Sequence, residues 1–521
     1  MKKLLAIALV LIMTASVLAV GVSAAAGDVD QWDGTADTSW YDPTKTQFTI
    51  TTAEQLAGMA ELTGMGVTFD GVEFKLAADI QINTGDAKNW DLVAPANTWK
   101  PIGSNNASFA GSFDGQGHTV SGIYTPIPEV GDKDTANNYK ALFGSVGDTS
   151  GNNEVIIKNL NLTNSRVGAY QYASVLAARV VGITKIEDIR VTNSYLYAVG
   201  DLTFEKKSPS NVDTGCVVGF LNGVTELTVS RCSAIDCDLF GWVRVGSIIG
   251  GGSGTYLEVN DCYSNSTVNG ENRPGGIIGH SSVSLVVVNN CMFEGDIICP
   301  ATDNYGGIIG GFRADASASI EAHNCYYAGT YTFRGETVHA RFGSTEIGVL
   351  DESSEYYSGD PDDISDQPTQ KGNDADGAEV LPKIKGAGAF AAFSEGLDKN
   401  VWDVSATSAT LKPVSVNEVP FAQTTPETTA APETSAAPTE TTKAPTNDTT
   451  KAPAGNDTTK APTNDTTKAP AGNDTTNAPA ETTDNNNGGG LGTGAIIGIV
   501  AACVAVVAVI VAIVLGKKKK A

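Results

Sequence analysis

The chain is poor in basic side chains: 34 Lys and Arg stand against 59 Asp and Glu among 521 residues, a net charge of −25. That balance excludes partners held mainly through phosphate, such as nucleic acid or anionic lipid surfaces. Histidine is scarcer still. The four present, His118, His280, His323 and His339, form no HExxH pattern, so a zinc peptidase of that kind is excluded. No CxxC pair and no Cys/His cluster at zinc-ligand spacing occurs, which removes structural zinc and dithiol redox chemistry. No pair of carboxylates recurs on neighbouring strands, as a glycosidase cleft would require. LPxTG is also missing; only LGTG at 491–494 precedes the last apolar run.

What is present divides the chain into four parts. Residues 1–26 have a Lys2-Lys3 start, an apolar run and small residues around Ala25, and read as a secretory signal peptide. Residues 491–521 hold an uncharged stretch from about 495 to 515, followed by Lys517–Lys520. About 20 such residues span a hydrocarbon core, so one C-terminal transmembrane helix with a basic inner tail is expected. Between them, residues 421–490 repeat TKAPTNDT and TKAPAGNDT. Such a segment buries no core and is expected to be a disordered stalk, extended by its prolines. Residues 27–420 make the head. These parts together predict a single-pass membrane protein at the cell surface with its head outside.

Within the head, TTAEQLAGMAELTGMG (51–66) predicts a short helical cap, with Thr51 as N-cap and Glu54 three residues on. After it, short alternating apolar runs are broken by glycine. Val286, Val288 and Cys291 align with Leu257, Val259 and Cys262, with Leu227, Val229 and Cys232, and with Ile320, Ala322 and Cys325. Two earlier copies align with serine in the cysteine place, at Ser165 and Ser194. A period near 30 with one buried face per strand implies stacked repeats. On that reading Ser165, Ser194, Cys232, Cys262, Cys291 and Cys325 form one internal ladder, at the ~4.8 Å spacing of paired strands. The residues just before them (Asn164, Asn193, Arg231, Asp261, Asn290 and Asn324) form a polar ladder at a turn. Neighbouring cysteines in such a ladder stand close enough for vertical disulfides; the alternative is a column of buried thiols packing as small hydrophobes.

NTWKPIG (97–103), FAGSFDGQGHTVSGIY (109–124), ALFG (141–144) and IKNLNLTNSRVGAY (157–170) resemble the GLUG-repeat bacterial surface proteins, some of which are adhesins or attached to immunoglobulin A peptidases. The resemblance covers about Phe48 to Trp402. It implies an all-β head built as a right-handed parallel β-helix, a solenoid of six to eight coils. The cysteines are a departure from the family pattern.

The expected function is non-catalytic: adhesion or ligand binding displayed on a stalk. A polysaccharide lyase or hydrolase on the same scaffold and a structural envelope protein are the alternatives. The candidate binding residues are aromatics of the cysteine-bearing repeats: Trp242, Tyr263, Tyr305, Tyr326, Tyr327 and Tyr331. They would face an extracellular glycan or a host or matrix protein. No catalytic residue, metal site or cofactor is expected. Calcium is considered only at the acidic stretch 351–366, because NDADGAE (373–379) has Gly372 and Lys383 where an EF-hand needs its first and last ligands. His118, behind the Asp114-Gly115 turn, reads as structural.

Overall fold

The computed structural model describes residues 29–129, 135–199, 212–300, 305–313, 319–333, 336–337, 343–347, 349–357, 384–385 and 389–421. The chain divides into two compact units, Met1–Glu427 and Thr428–Ala521. All the described residues belong to the first.

The dominant feature is one long parallel sheet. Its first strand, β1 (Gln47–Ile50), leads into helix α1 (Ala53–Gly64). It then pairs in parallel with β2 (Glu73–Leu76), which pairs with β3 (Ser112–Asp114). Six longer strands follow: β4 (Glu154–Thr163), β5 (Ile183–Thr192), β6 (Val218–Ser230), β7 (Ile249–Asn260), β8 (Ile278–Asn289) and β9 (Ser319–Tyr327). Each pairs in parallel with the next. Counting the shorter strands, the sheet has nineteen members among the described residues. The alternation of β4 and β5 sets which face is dry. Val155 and Ile157, then Thr184 and Ile186, point inward, while Ile156 and Lys158, Lys185 and Glu187 point out. A register slip of one residue would exchange these sets, so burial of the apolar set fixes the register.

Helix α1 begins one residue later than the sequence suggests. Thr52, not Thr51, is the N-cap and accepts from the Gln55 amide at 3.3 Å, while the Gln55 side chain accepts from the Thr51 amide at 2.8 Å. Gln55 thus closes the reciprocal box expected of Glu54.

The architecture corrects the expected one. A right-handed β-helix solenoid of like coils, capped by a helix, is not what the described residues form. Among the described residues the sheets are unequal, with nineteen, eight and four strands, and a separate two-stranded one. The eight-stranded sheet is parallel except for its terminal pair, Tyr331–Phe333 with Glu336–Thr337, which is antiparallel. The four-stranded sheet consists of segments of two or three residues, such as Asp213–Thr214 and Arg244–Gly246. Strands of nine residues or more recur only along the long face; the eight-stranded sheet is built of strands of two to four residues. Helix α1 follows β1 and does not precede the sheet.

Among the described residues no helix is long and apolar enough to cross a membrane. The expected span at 495–515, the signal peptide and the stalk lie outside those residues. The single-pass cell-surface placement therefore has no structural support and is set aside.

The cysteine alignment holds from Cys232 onward but slips before it. The amides of Tyr263, Met292 and Tyr326 donate to the carbonyls of Cys232, Cys262 and Cys291, which stacks Cys232, Cys262, Cys291 and Cys325. The residues beneath Cys232 in that column are Ile189 and Leu160, because Arg190 pairs with Ser233 and with Asn161. Ser165 and Ser194 belong to a second column, five residues further on, continued by Cys237 and Ser266. The seven cysteines of this unit are buried thiols. Burial pushes the thiols of Cys232 and Cys291 well above the ordinary range, so both stay protonated.

The chain's last described stretch returns along the outside of the long sheet. Helix α2 (Ala389–Glu395) and the hairpin β10 (Trp402–Val404) and β11 (Ala409–Leu411) pack there. Phe393, Leu397, Trp402 and Leu411 cover the outward side chains of Tyr263, Met292 and Tyr326, forming a second apolar cluster. The Trp402 indole donates to Asp261 Oδ1 at 2.9 Å.

Candidate functional site

Between the early strands of the long sheet and the returning segment lies a cleft of about 890 Å³. Its floor is set by register. Lys75 pairs with Asp114, Asp114 with Lys158, and Lys158 with Glu187, so four outward positions on successive strands alternate in charge. Opposite charges side by side stabilise a sheet face that stays wet. The Lys158 ammonium is 3.9 Å from Asp114 Oδ2.

Beside this row runs a column of left-handed turn residues: Asn159 (φ 54°), Asp188 (φ 53°) and Arg231 (φ 54°). Asn and Asp adopt this backbone with little cost; Arg does so less readily. The Arg231 guanidinium makes a two-pronged contact with Asp188, at 2.8 and 2.7 Å, with Glu187 at 3.6 Å. That pair holds Arg231 more firmly protonated than an isolated guanidinium. Both side chains remain about one third exposed, at 34% and 31%.

The roof is Val401, Leu411, Lys412 and the extended segment 413–419. Gly117 lets that segment approach closely: a side-chain carbon there would collide with the Ser415 carbonyl, and its φ of +83° suits glycine. The carboxylates of the cleft are already engaged. Asp114 accepts from the Gln116 amide at 2.9 Å and from Asn159 at 2.9 Å, Asp188 holds Arg231, and Glu73 accepts from Gln47 at 3.1 Å. The arrangement suits recognition: fixed charges of both signs along the floor, apolar side chains overhead, and an open mouth.

The aromatics expected to bind ligand are placed elsewhere, and this corrects that expectation. Tyr263, Tyr305, Tyr326, Tyr327 and Tyr331 are between 0 and 8% exposed, and Trp242 is partly buried against the main core. Tyr263 and Tyr326 do lie on the outer face, but under Phe393 and Trp402, and the Tyr263 hydroxyl donates to Glu294. Their ring area is spent on packing the hairpin. The side chains of the acidic stretch 351–366, where calcium was considered, lie outside the described residues. His118 is more than a turn residue: it is buried at the edge of the cleft, between Asp79 and Glu418.

Sequence reasoning missed the cleft because its roof comes from residues some 300 positions downstream of its floor. One signal was available. Arg231 stands in a column otherwise filled by Asn and Asp, and an arginine in that backbone asks for a reason.

No family model matches the chain, and no curated protein matches it. Among solved structures, the chain is similar to one from Bacteroides ovatus described as a candidate immunoglobulin A1 protease. The identity is 16% and the TM-score 0.40, over 71% of this chain and 93% of the other. No argument about this chain follows from a likeness at that level.

Proposed function

We propose that the first unit is a non-catalytic binding module, carrying repeats of the GLUG kind, and that the cleft over Lys75, Asp114, Lys158, Asp188 and Arg231 is where its ligand sits. The observation that carries the reading is the engagement of the cleft carboxylates with Lys158, Arg231 or amide donors. A glycosidase needs two carboxyl groups free to act as acid and as base or nucleophile across the bond to be broken. Here the carboxylates orient cations. The ligand is an extended polar chain with many hydroxyl groups, a glycan by preference. It would lie across several strands and meet a charge of alternating sign at each.

The test is calorimetric titration of the full-length chain with oligosaccharides of increasing length, alongside a reducing-end assay on the same mixtures. Affinity that grows with chain length, falls in Arg231→Ala and comes without new reducing ends supports the reading. New reducing ends would sink it, as would binding indifferent to Arg231.

A further inference from the structure

We propose that Asn222 is a self-modification site: the Gly223 amide nitrogen converts its carboxamide to a carboxylate, and the Arg179 guanidinium first holds the developing charge and then pairs with the product. The inference lies outside the cleft and is independent of the binding reading.

Asn-Gly pairs occur at 222–223, 269–270 and 487–488, the last outside the described residues. Glycine has no side chain to shield its amide nitrogen. That nitrogen can form a bond to Cγ of the preceding asparagine, closing a five-membered succinimide ring as ammonia leaves. Water then opens the ring to aspartate or its β-linked isomer. One water is consumed and one ammonia released, with no change of oxidation state.

The two described pairs differ in what surrounds them. Asn269 and Gly270 sit in a regular ladder, Asn269 opposite Phe240 and Ile298 and Gly270 opposite Gly241. A side-chain carbon on Gly270 would stand 3.2 Å from Pro274 and Val245. At the other pair the ladder of β6 is broken. Asn222 faces Ser253 and Val224 faces Gly254 on β7, so Gly223 is the extra residue of a bulge. Its φ is +64°, a side-chain carbon there would meet nothing within 4 Å, and both residues are exposed. The peptide unit that must turn for the attack has room to do so.

Arg179 supplies the chemistry. The Asn222 carboxamide turns its oxygen toward the guanidinium and accepts from Nε at 3.1 Å and Nη2 at 2.5 Å. The reverse orientation would set amide hydrogens against guanidinium hydrogens. When the Gly223 nitrogen adds to Cγ, negative charge builds on that oxygen, where two fixed donors already point. Arg179 is 6% exposed, and among the described residues no carboxylate pairs with it. Its other partners are Ser145 Oγ at 2.9 Å and the Tyr139 ring, with its centre at 6.0 Å. A buried cation with only neutral partners is costly, and a carboxylate at position 222 compensates it. The same guanidinium thus favours the ring-closing step and its product.

Peptide mapping by mass spectrometry tests this on the full-length chain incubated at neutral pH, with Asn269 as the internal control. Asn222 should become heavier by about one dalton at least ~5-fold faster than Asn269, and Arg179→Lys, which loses the fork but keeps the charge, should slow it by ~3- to 10-fold. In the urea-unfolded chain the two asparagines should react alike and Arg179→Lys should change nothing, which separates a chemical role from a structural one. Asn222→Asp leaves Arg179 in place and should raise the urea midpoint above that of freshly prepared native chain. Conversion of Asn222 no faster than that of Asn269 in the folded chain would overturn the proposal. So would a folded-chain rate indifferent to Arg179→Lys, or a midpoint lowered by Asn222→Asp.

Discussion

The outer face of the long sheet is used in two ways along its length, and the contrast locates the site. Toward its C-terminal strands the outward positions are Tyr263, Met292 and Tyr326, and the chain lays α2 and the β10–β11 hairpin over them. Toward its N-terminal strands the outward positions are Lys75, Asp114, Lys158 and Glu187, and the same returning chain touches the row at Lys75, through the Val419 carbonyl and the Phe421 ring, and leaves a cleft over Asp114 and Lys158. The strands are parallel in both halves, and the two sets lie on either side of the left-handed turn: Lys158 and Glu187 stand just before it, Tyr263, Met292 and Tyr326 two residues after it. What differs is the transfer free energy of the outward side chains. Aromatic and thioether groups gain from being covered, whereas charged groups covered without full pairing would lose several kcal/mol. One face therefore has a dry end, which fastens the returning segment, and a wet end, which is available to a ligand.

Substitution at the dry end should give the largest effect. Trp402 is buried against Phe393 and bonded to Asp261, so Trp402→Ala should cost about 3–5 kcal/mol in chemical denaturation. A loss below about 1 kcal/mol would mean that the hairpin is only loosely fastened.

A charge that is buried, unlike those of the wet end, gives the next. Asp213 is 0% exposed beside Arg244 on the short sheet, and burial pushes its carboxyl up to about 7. Because the folded value lies above the unfolded one, protonation favours the fold. The stability is fully present below about pH 4 and is lost as pH rises through about 7, with a slope of about 1 kcal/mol per pH unit between. Urea midpoints at a series of pH values should show this slope, and Asp213→Asn should flatten it.

At the wet end the expected signs separate. Arg231→Ala should cost less than about 1 kcal/mol in stability, since its pair with Asp188 is about one third exposed, yet weaken ligand binding by about tenfold. Lys158→Ala should be milder, below ~0.5 kcal/mol in stability and ~3-fold in affinity, because its contact with Asp114 is long at 3.9 Å. If either variant destabilises the protein as much as Trp402→Ala, the two ends of the face are not different in kind.

Much of the long face can be read in the sequence. The period near 30 residues and the stacking of Cys232, Cys262, Cys291 and Cys325 follow from alternating apolar residues, because the buried face dictates its own register. The slip at Ser165 and Ser194 has a specific cause. Each early repeat carries two left-handed turns five residues apart, at Asn159 and Asn164 and again at Asp188 and Asn193, each after an apolar alternation. The serine after the second turn resembles the cysteine after the first turn of later repeats. Local pattern does not tell the two turns apart; pairing between strands does. The short sheet, with two or three residues per strand, leaves no period to read. The aromatics were assigned to a ligand because sequence shows ring type but not what covers the ring. The cleft stayed hidden because its roof depends on where residues 389–421 dock, and that is decided by the apolar cluster under Trp402.

The most direct test of the two-ended face is photo-crosslinking of the full-length chain with a bound oligosaccharide carrying a diazirine, followed by mapping of the modified residues. Adducts should fall on the floor and rim of the cleft, at or next to Lys158, Arg231 and Lys412. Adducts confined to the outward residues Tyr256 and Glu258, on the same sheet but away from the cleft, would contradict the account.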